Sequence, residues 1–208
     1  MGLVEKKSLA FQAQIIIGDM KKISDEVDHS MPFGIHIVNC NDVETYKCFQ
    51  TLNANKWKSR LSEMPLQESF KEDEIDWANT VYLSPDATDV LLDFNVADSR
   101  ESYTADKKHA TSFIIGGLID RTIVKNATLN QYNSLGIKNL KCKRLPIAEY
   151  FDQSVNMIAN KKELSLDAVV RILSRFKMIK LNSPESEPAE IWRKVLLEAI
   201  PLRTIKSK

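Results

Sequence analysis

Apolar residues in the first part of the chain fall at Leu9, Phe11, Ile15, Ile16, Met20 and Ile23, close to a helical period, and predict a helix over residues 3–27. The period then shortens. Residues 33–38 (FGIHIV) alternate and are rich in β-branched side chains, which predicts a strand. Asn41 or Asp42 can cap the next helix, which carries Val43, Tyr46, Phe49 and Leu52 on one face. Residues 56–79 are polar and irregular, broken at Pro65.

The second half is more regular. Thr80–Leu83 reads as a short strand, and Ser84-Pro85-Asp86 supplies a cap and an early proline for a helix over 87–92. Residues 95–111 carry few large apolar side chains and read as a flexible insertion. Ser112–Ile115 is a candidate buried strand. Thr128 can cap a helix that Gly136 ends, and residues 137–144 enter another strand. Pro146 opens a short segment. Ser165 with Asp167 begins a helix to Phe176, residues 183–188 form a linker, and residues 191–199 form a closing amphipathic helix. Strand and helix alternate, so the expected class is α/β, with a mainly parallel sheet flanked by helices.

Composition changes this picture little. The 208 residues are 43% hydrophobic and 27% charged, ordinary for a globular chain with a substantial core. No apolar run approaches the ~18 residues of a membrane span. The net charge of +1 leaves an anionic partner only local basic patches to meet, such as Lys138, Lys141, Lys143 and Arg144, or Arg193, Arg203, Lys206 and Lys208. Cys40, Cys48 and Cys142 are odd in number and lack CxxC spacing, against a disulfide framework or a zinc site and in favour of a reducing compartment. His29, His36 and His109 are scattered and suggest no metal centre. The opening residues show no targeting segment.

In parallel α/β sheets ligands bind beyond the carboxyl ends of strands. Three loops qualify: LSPD (83–86), GGLIDRT (116–122) and RLPI (144–147). Gly116-Gly117 allows close approach of backbone to a ligand, positive φ, or simply a turn. It is neither the dinucleotide fingerprint nor a Walker loop. Asp120 can act as a general base or a hydrogen-bond acceptor for a ring N–H, or as a helix cap. Arg121 can hold a phosphate or be exposed. Pro146 stiffens a turn that could offer fixed backbone groups to an adenine edge, or opens a helix.

Taken in order, VYLSPD (81–86), FIIGGLIDRT (113–122), KRLPIAEYF (143–151) and KELSLDAVVRIL (162–173) resemble the tRNA purine-9 methyltransferase family, a branch of the SPOUT methyltransferases. The match runs over roughly residues 30–200; the GG-to-Asp segment and RLPIxEY are its distinctive motifs. The resemblance implies one trefoil-knotted domain over 1–208, with an N-terminal helix at 3–28, an insertion at 95–111, and a C-terminal helix and basic tail at 187–208. Its loops would hold S-adenosyl-L-methionine through Leu83, Ser84, Ile115, Gly116, Gly117, Leu145, Pro146, Ile147, Leu164 and Ser165. It further implies methylation of ring nitrogen 1 of the purine at tRNA nucleotide nine. Asp120 would be catalytic, and Arg121, Lys125, Lys143 and Arg144 would contact RNA.

The sequence departs from the family pattern in several places. Ser84-Pro85 stands where Thr-Ala is common, the 95–111 insertion is long, and the strand that usually precedes the first helix has no counterpart, as in a fragment lacking upstream sequence. FGIHIVNCN and KELSLDAVVRIL are closer to the mitochondrial ribonuclease P protein 1 branch. That branch implies the mitochondrial matrix, with a short-chain dehydrogenase and a protein-only nuclease as partners. Cytoplasm or nucleus is the alternative location, and the chain on its own is expected to be monomeric. A tRNA-binding scaffold subunit with little catalysis is the alternative function.

Overall fold

The helical period at the start of the chain becomes a helix of 24 residues, α1 (Leu3–Glu26), in a computed structural model that describes residues 2–26, 33–57, 59–70, 74–96, 111–117, 125–150 and 164–199. Ala10, Ala13, Ile16, Met20 and Ile23 form its buried stripe. Phe11, expected on that face, is 55% exposed and belongs to the opposite one.

The strand β1 (Ile35–Ile37) pairs in parallel with β2 (Ser59–Leu61), Ile35 opposite Ser59. The second of these lies in the stretch read as irregular. Three residues, Ser-Arg-Leu, are too few to show alternation, and pairing with β1 defines them. Between the two strands runs α2 (Val43–Thr51). Asp42 is its cap: the carboxylate accepts the Thr45 N–H at 3.1 Å and the Thr45 hydroxyl at 2.7 Å. Lys6 of α1 pairs with Asp42 and, at 2.9 Å, with Glu44. Single 3-10 turns lie at Ala54–Lys56 and Trp77–Asn79.

A second sheet follows, with β3 (Thr80–Leu83) between β4 (Ser112–Ile115) and, after α3 (Ala127–Leu135), β5 (Lys141–Lys143). Both pairings are parallel. All four residues of β3 are buried, as a central parallel strand requires. The edge strand β4 is only half-buried, with Ser112 exposed, so its burial is less than expected. Then come the single turn α4 (Ile147–Tyr150), α5 (Leu166–Asn182) and α6 (Pro188–Ala199). The α5 helix runs well past Phe176, its expected end.

Alternate residues of β3 serve two layers. Val81 and Leu83 join Ile172, Leu173 and Phe176 of α5 with Trp192, Val195 and Leu196 of α6 in the main core. Phe176 and Trp192 stack with centroids 4.3 Å apart, and Phe94 lies 4.7 Å from Phe176. Tyr82 turns to α3 instead, where its hydroxyl donates to Gln131 Oε1 at 3.2 Å. On the far side of α5, α1 packs Ile16, Met20 and Ile23 against Val170 and Met178. Gln12 Oε1 of α1 accepts the Leu166 N–H at 3.1 Å, so it caps α5, while Ser165, the expected cap, makes no side-chain capping bond. Asp19 of α1 meets Arg171 at 2.9 Å.

Two helix expectations are corrected. Residues 87–92 form no helix, because their backbone is drawn to the end of β5. Leu91 N–H donates to the Arg144 carbonyl and Arg144 N–H to the Asp89 carbonyl, both at 2.8 Å, with Val90 bridged to Arg144. Thr128 is not the cap of α3. That place is taken by Asn126 in the left-handed region at φ 60°, and Thr128 is bonded elsewhere. Gly136, also left-handed at φ 60°, ends α3 as expected.

Candidate functional site

The parallel register sets three strand ends side by side. Leu83 lies opposite Ile115 on one flank and opposite Lys143 on the other. The loops that continue from them therefore leave the same edge of the sheet. Leu83, Ser84, Ile115, Gly116, Gly117, Leu145, Pro146 and Ile147 are brought together there. Ile115, Leu145 and Ile147 are half-buried on the main core, as is Leu164 at the entry to α5. These four give the edge an apolar floor. Pro146 is fully buried beside them, and Ser165 is exposed.

Ser84 is 2% exposed and satisfied from within. Its hydroxyl shares a hydrogen bond with the Thr128 hydroxyl at 2.8 Å and accepts the Asp86 N–H at 3.3 Å. Its own N–H donates to the Lys143 carbonyl at 3.0 Å, and its carbonyl accepts the Ala87 N–H at 3.2 Å. Asp86 reaches the start of α3, where its carboxylate accepts the Asn126 N–H at 2.9 Å. Gly116 is crowded from the same direction: a Cβ there would sit 3.0 Å from Cγ2 of Thr128. At Gly117 a Cβ would come within 3.4 Å of Leu9 on α1. Neither glycine has positive φ; at Gly116 a side chain would press on Thr128, whereas at Gly117 it would make only ordinary contact with Leu9.

Arg144 and Glu149 brace the third loop. Nη1 donates to Oε2 at 2.9 Å and Nη2 to Oε1 at 2.6 Å. The Arg144 guanidinium holds the Glu149 carboxyl below its ordinary range, and Glu149 raises Arg144 in return. Glu149 thus takes two of the five N–H donors on Arg144. Lys143 is half-buried and Lys125 exposed.

A cavity of about 340 Å³ lies behind this edge, between α3 and β5, lined by Thr88, Asp89, Leu129, Tyr132, Lys141 and Cys142 among others. Burial, with Asp89 nearby, pushes the Cys142 thiol up to about 11, and burial pushes the Tyr82 phenol up to about 12. Neither is poised to ionise near neutral pH. Asp120 and Arg121 lie outside the described residues, as do residues 97–110 of the insertion. The base of that insertion is closed by Asn95 and Thr111, whose backbones meet at 3.2 Å. Sequence reasoning gave Thr128 no part in the site, and it gave Asp86 of LSPD and Glu149 of RLPIxEY no role of their own there. For Glu149 the signal was available in the spacing R-L-P-I-x-E.

A sequence profile described as tRNA (guanine(9)-N(1))-methyltransferase TRM10/TRM10A matches residues 5–205, nearly the whole chain. The chain belongs to this family. Among relatives, tRNA methyltransferase 10 homolog B of Danio rerio is 31% identical over 124 residues, which is 59% of this chain and 32% of that protein. The chain thus spans about a third of the length of that curated relative. Two crystal structures of TRM10-family proteins share the architecture. The full-length spTrm10–SAH complex superposes with a TM-score of 0.63 at 22% identity, covering 97% of this chain and 86% of that one. The form spTrm10(74) gives 0.65 at 20%, covering 97% and 88%. The fold is therefore that of a TRM10-type SPOUT methyltransferase, as the ordered motifs implied.

Proposed function

We propose that the chain is an S-adenosyl-L-methionine-dependent tRNA methyltransferase acting on ring nitrogen 1 of a purine at nucleotide nine. The observation that carries the reading is the alignment of LSP, GG and RLPI at one sheet edge in a chain of the TRM10 family. The edge suits such a cofactor: Ile115, Leu145, Ile147 and Leu164 offer apolar surface to an adenosine, and Gly116 and Gly117 leave bare backbone there.

Bound there, the cofactor supplies an electrophilic methyl group. Asp120, three residues after Gly117 in the sequence, is the residue assigned to the purine. Nitrogen 1 of guanine carries a proton and is a poor nucleophile at neutral pH, so a carboxylate that accepts this proton raises its reactivity. In adenine that nitrogen has a free lone pair, and there the same carboxylate orients the ring. Arg121, Lys125, Lys143 and Arg144 are assigned to RNA phosphates, Arg144 through donors other than the two that Glu149 takes.

The test is transfer of labelled methyl groups to a tRNA transcript carrying guanine or adenine at nucleotide nine, followed by mapping of the modified base. Asp120→Asn should cut guanine methylation far more than binding of S-adenosylhomocysteine. Unchanged guanine methylation removes Asp120 from the mechanism. FGIHIVNCN and KELSLDAVVRIL support placing the chain in the mitochondrial branch and matrix, beside a short-chain dehydrogenase and a nuclease. Robust methylation by the purified chain alone, unaltered by those partners, argues against that placement and against the scaffold alternative.

A further inference from the structure

The first turn of α3 touches two of the three loops at once, and Thr128 reaches both. Its hydroxyl lies 2.8 Å from Ser84 Oγ at the end of β3. Its methyl group is the atom that a Cβ on Gly116, at the end of β4, would meet at 3.0 Å. A second bond ties the same turn to the first loop, from Asn126 N–H to Asp86 at 2.9 Å. With its hydrogen-bonding groups satisfied internally, Ser84 has little to offer a ligand directly. Its part is to hold the loop at a fixed height above the sheet.

We infer that Thr128 is a positioning residue for the cofactor cleft, setting the separation of the β3 and β4 loops through its hydroxyl on Ser84 and its methyl on Gly116. The inference rests on the reading that these loops bind S-adenosylmethionine. Removing the hydroxyl leaves the buried Ser84 hydroxyl without its side-chain partner, and the loop then relaxes to regain one. Adding a methyl at Gly116 forces the β4 loop away from α3, unless the Thr128 methyl is also removed.

The test is calorimetric titration of S-adenosylhomocysteine into the full chain and its variants, with melting temperature measured alongside and KM for each substrate taken from methyl transfer. Thr128→Val keeps shape and loses the hydroxyl. It should weaken binding about tenfold and raise the KM for S-adenosylmethionine, leaving the KM for tRNA unchanged. Thr128→Ser keeps the hydroxyl and loses only the methyl, so it should bind more tightly than Thr128→Val. Gly116→Ala should weaken binding, and Gly116→Ala with Thr128→Ser should recover it, a coupling that general loss of stability does not produce. Unaltered binding by Thr128→Val, or a double variant no better than Gly116→Ala alone, overturns the inference and leaves the functional reading standing. An unaltered chain that binds no S-adenosylhomocysteine overturns both.

Discussion

Arg144 and Glu149 close a two-pronged ion pair across the RLPI turn, with N–O distances of 2.9 and 2.6 Å. Five residues apart, they hold the turn between them in one shape. Glu149→Gln removes the charge and should lower the melting temperature by about 1–3 °C, from ~0.5–1 kcal/mol for a well-placed surface pair in a chain of this size. The Glu149 carboxyl is depressed in the folded chain, so its contribution is present above the ordinary carboxyl range. It is lost as pH falls below about 4. Scanning calorimetry should therefore find the two proteins separated by that margin at neutral pH and converging in acid.

Gln12 terminates α5 from a distant helix. Gln12→Ala leaves the Leu166 N–H without its acceptor and should cost about 1 kcal/mol. Gln12→Glu keeps the acceptor and adds negative charge at a helix N-terminus, so it should match or exceed the original. Urea midpoints distinguish the two. Equal losses in both variants would mean that side-chain packing, rather than the cap, is what matters at this position.

Asp42 caps α2 and pairs with Lys6, and the Lys6 ammonium followed by the Thr45 hydroxyl draws its carboxyl well below the ordinary range. A depressed acid stabilises above its unfolded value and loses that contribution as pH falls toward the folded one. Asp42→Asn should thus be less stable than the original at neutral pH, and the gap should narrow as pH drops below about 4. A gap independent of pH would show that the amide caps as well as the carboxylate does.

Phe176 is fully buried between Phe94 and Trp192. Phe176→Ala empties the junction of sheet, α5 and α6 and should cost about 3–5 kcal/mol in denaturant unfolding. Phe176→Leu should cost clearly less. Similar losses from both would indicate that ring stacking, not volume, dominates there.

Elements whose own side chains carry the information were legible in sequence. The first helix with Ile16, Met20 and Ile23 on its buried face, the strand at Thr80–Leu83, the cap at Asp42 (one of two candidates, with Asn41) and the stop at Gly136 follow from local pattern. Features made by distant partners were not. Ser-Arg-Leu becomes a strand only beside Ile35–Ile37, and residues 87–92 give up a helix because Arg144 takes their hydrogen bonds. Motif order located the sheet edge and its three loops. The role of Thr128 was hidden because it depends on a hydroxyl 44 residues away in sequence.

The contacts of α1 with α5 join residues that are made far apart in time. Gln12 meets Leu166, Asp19 meets Arg171, and Met20 meets Ser174, at sequence separations of 152 to 154 residues. A ribosome adding about 5–20 residues per second needs roughly eight to thirty seconds to cover that interval. Throughout it, the apolar stripe of α1 waits without the helix that covers it, and the cap on α5 cannot form. The entry to the cleft at Leu164–Ser165 is thus among the last parts to assemble during synthesis, and a nascent chain interrupted before α5 leaves Ile16, Met20 and Ile23 uncovered for chaperones or neighbouring chains to find.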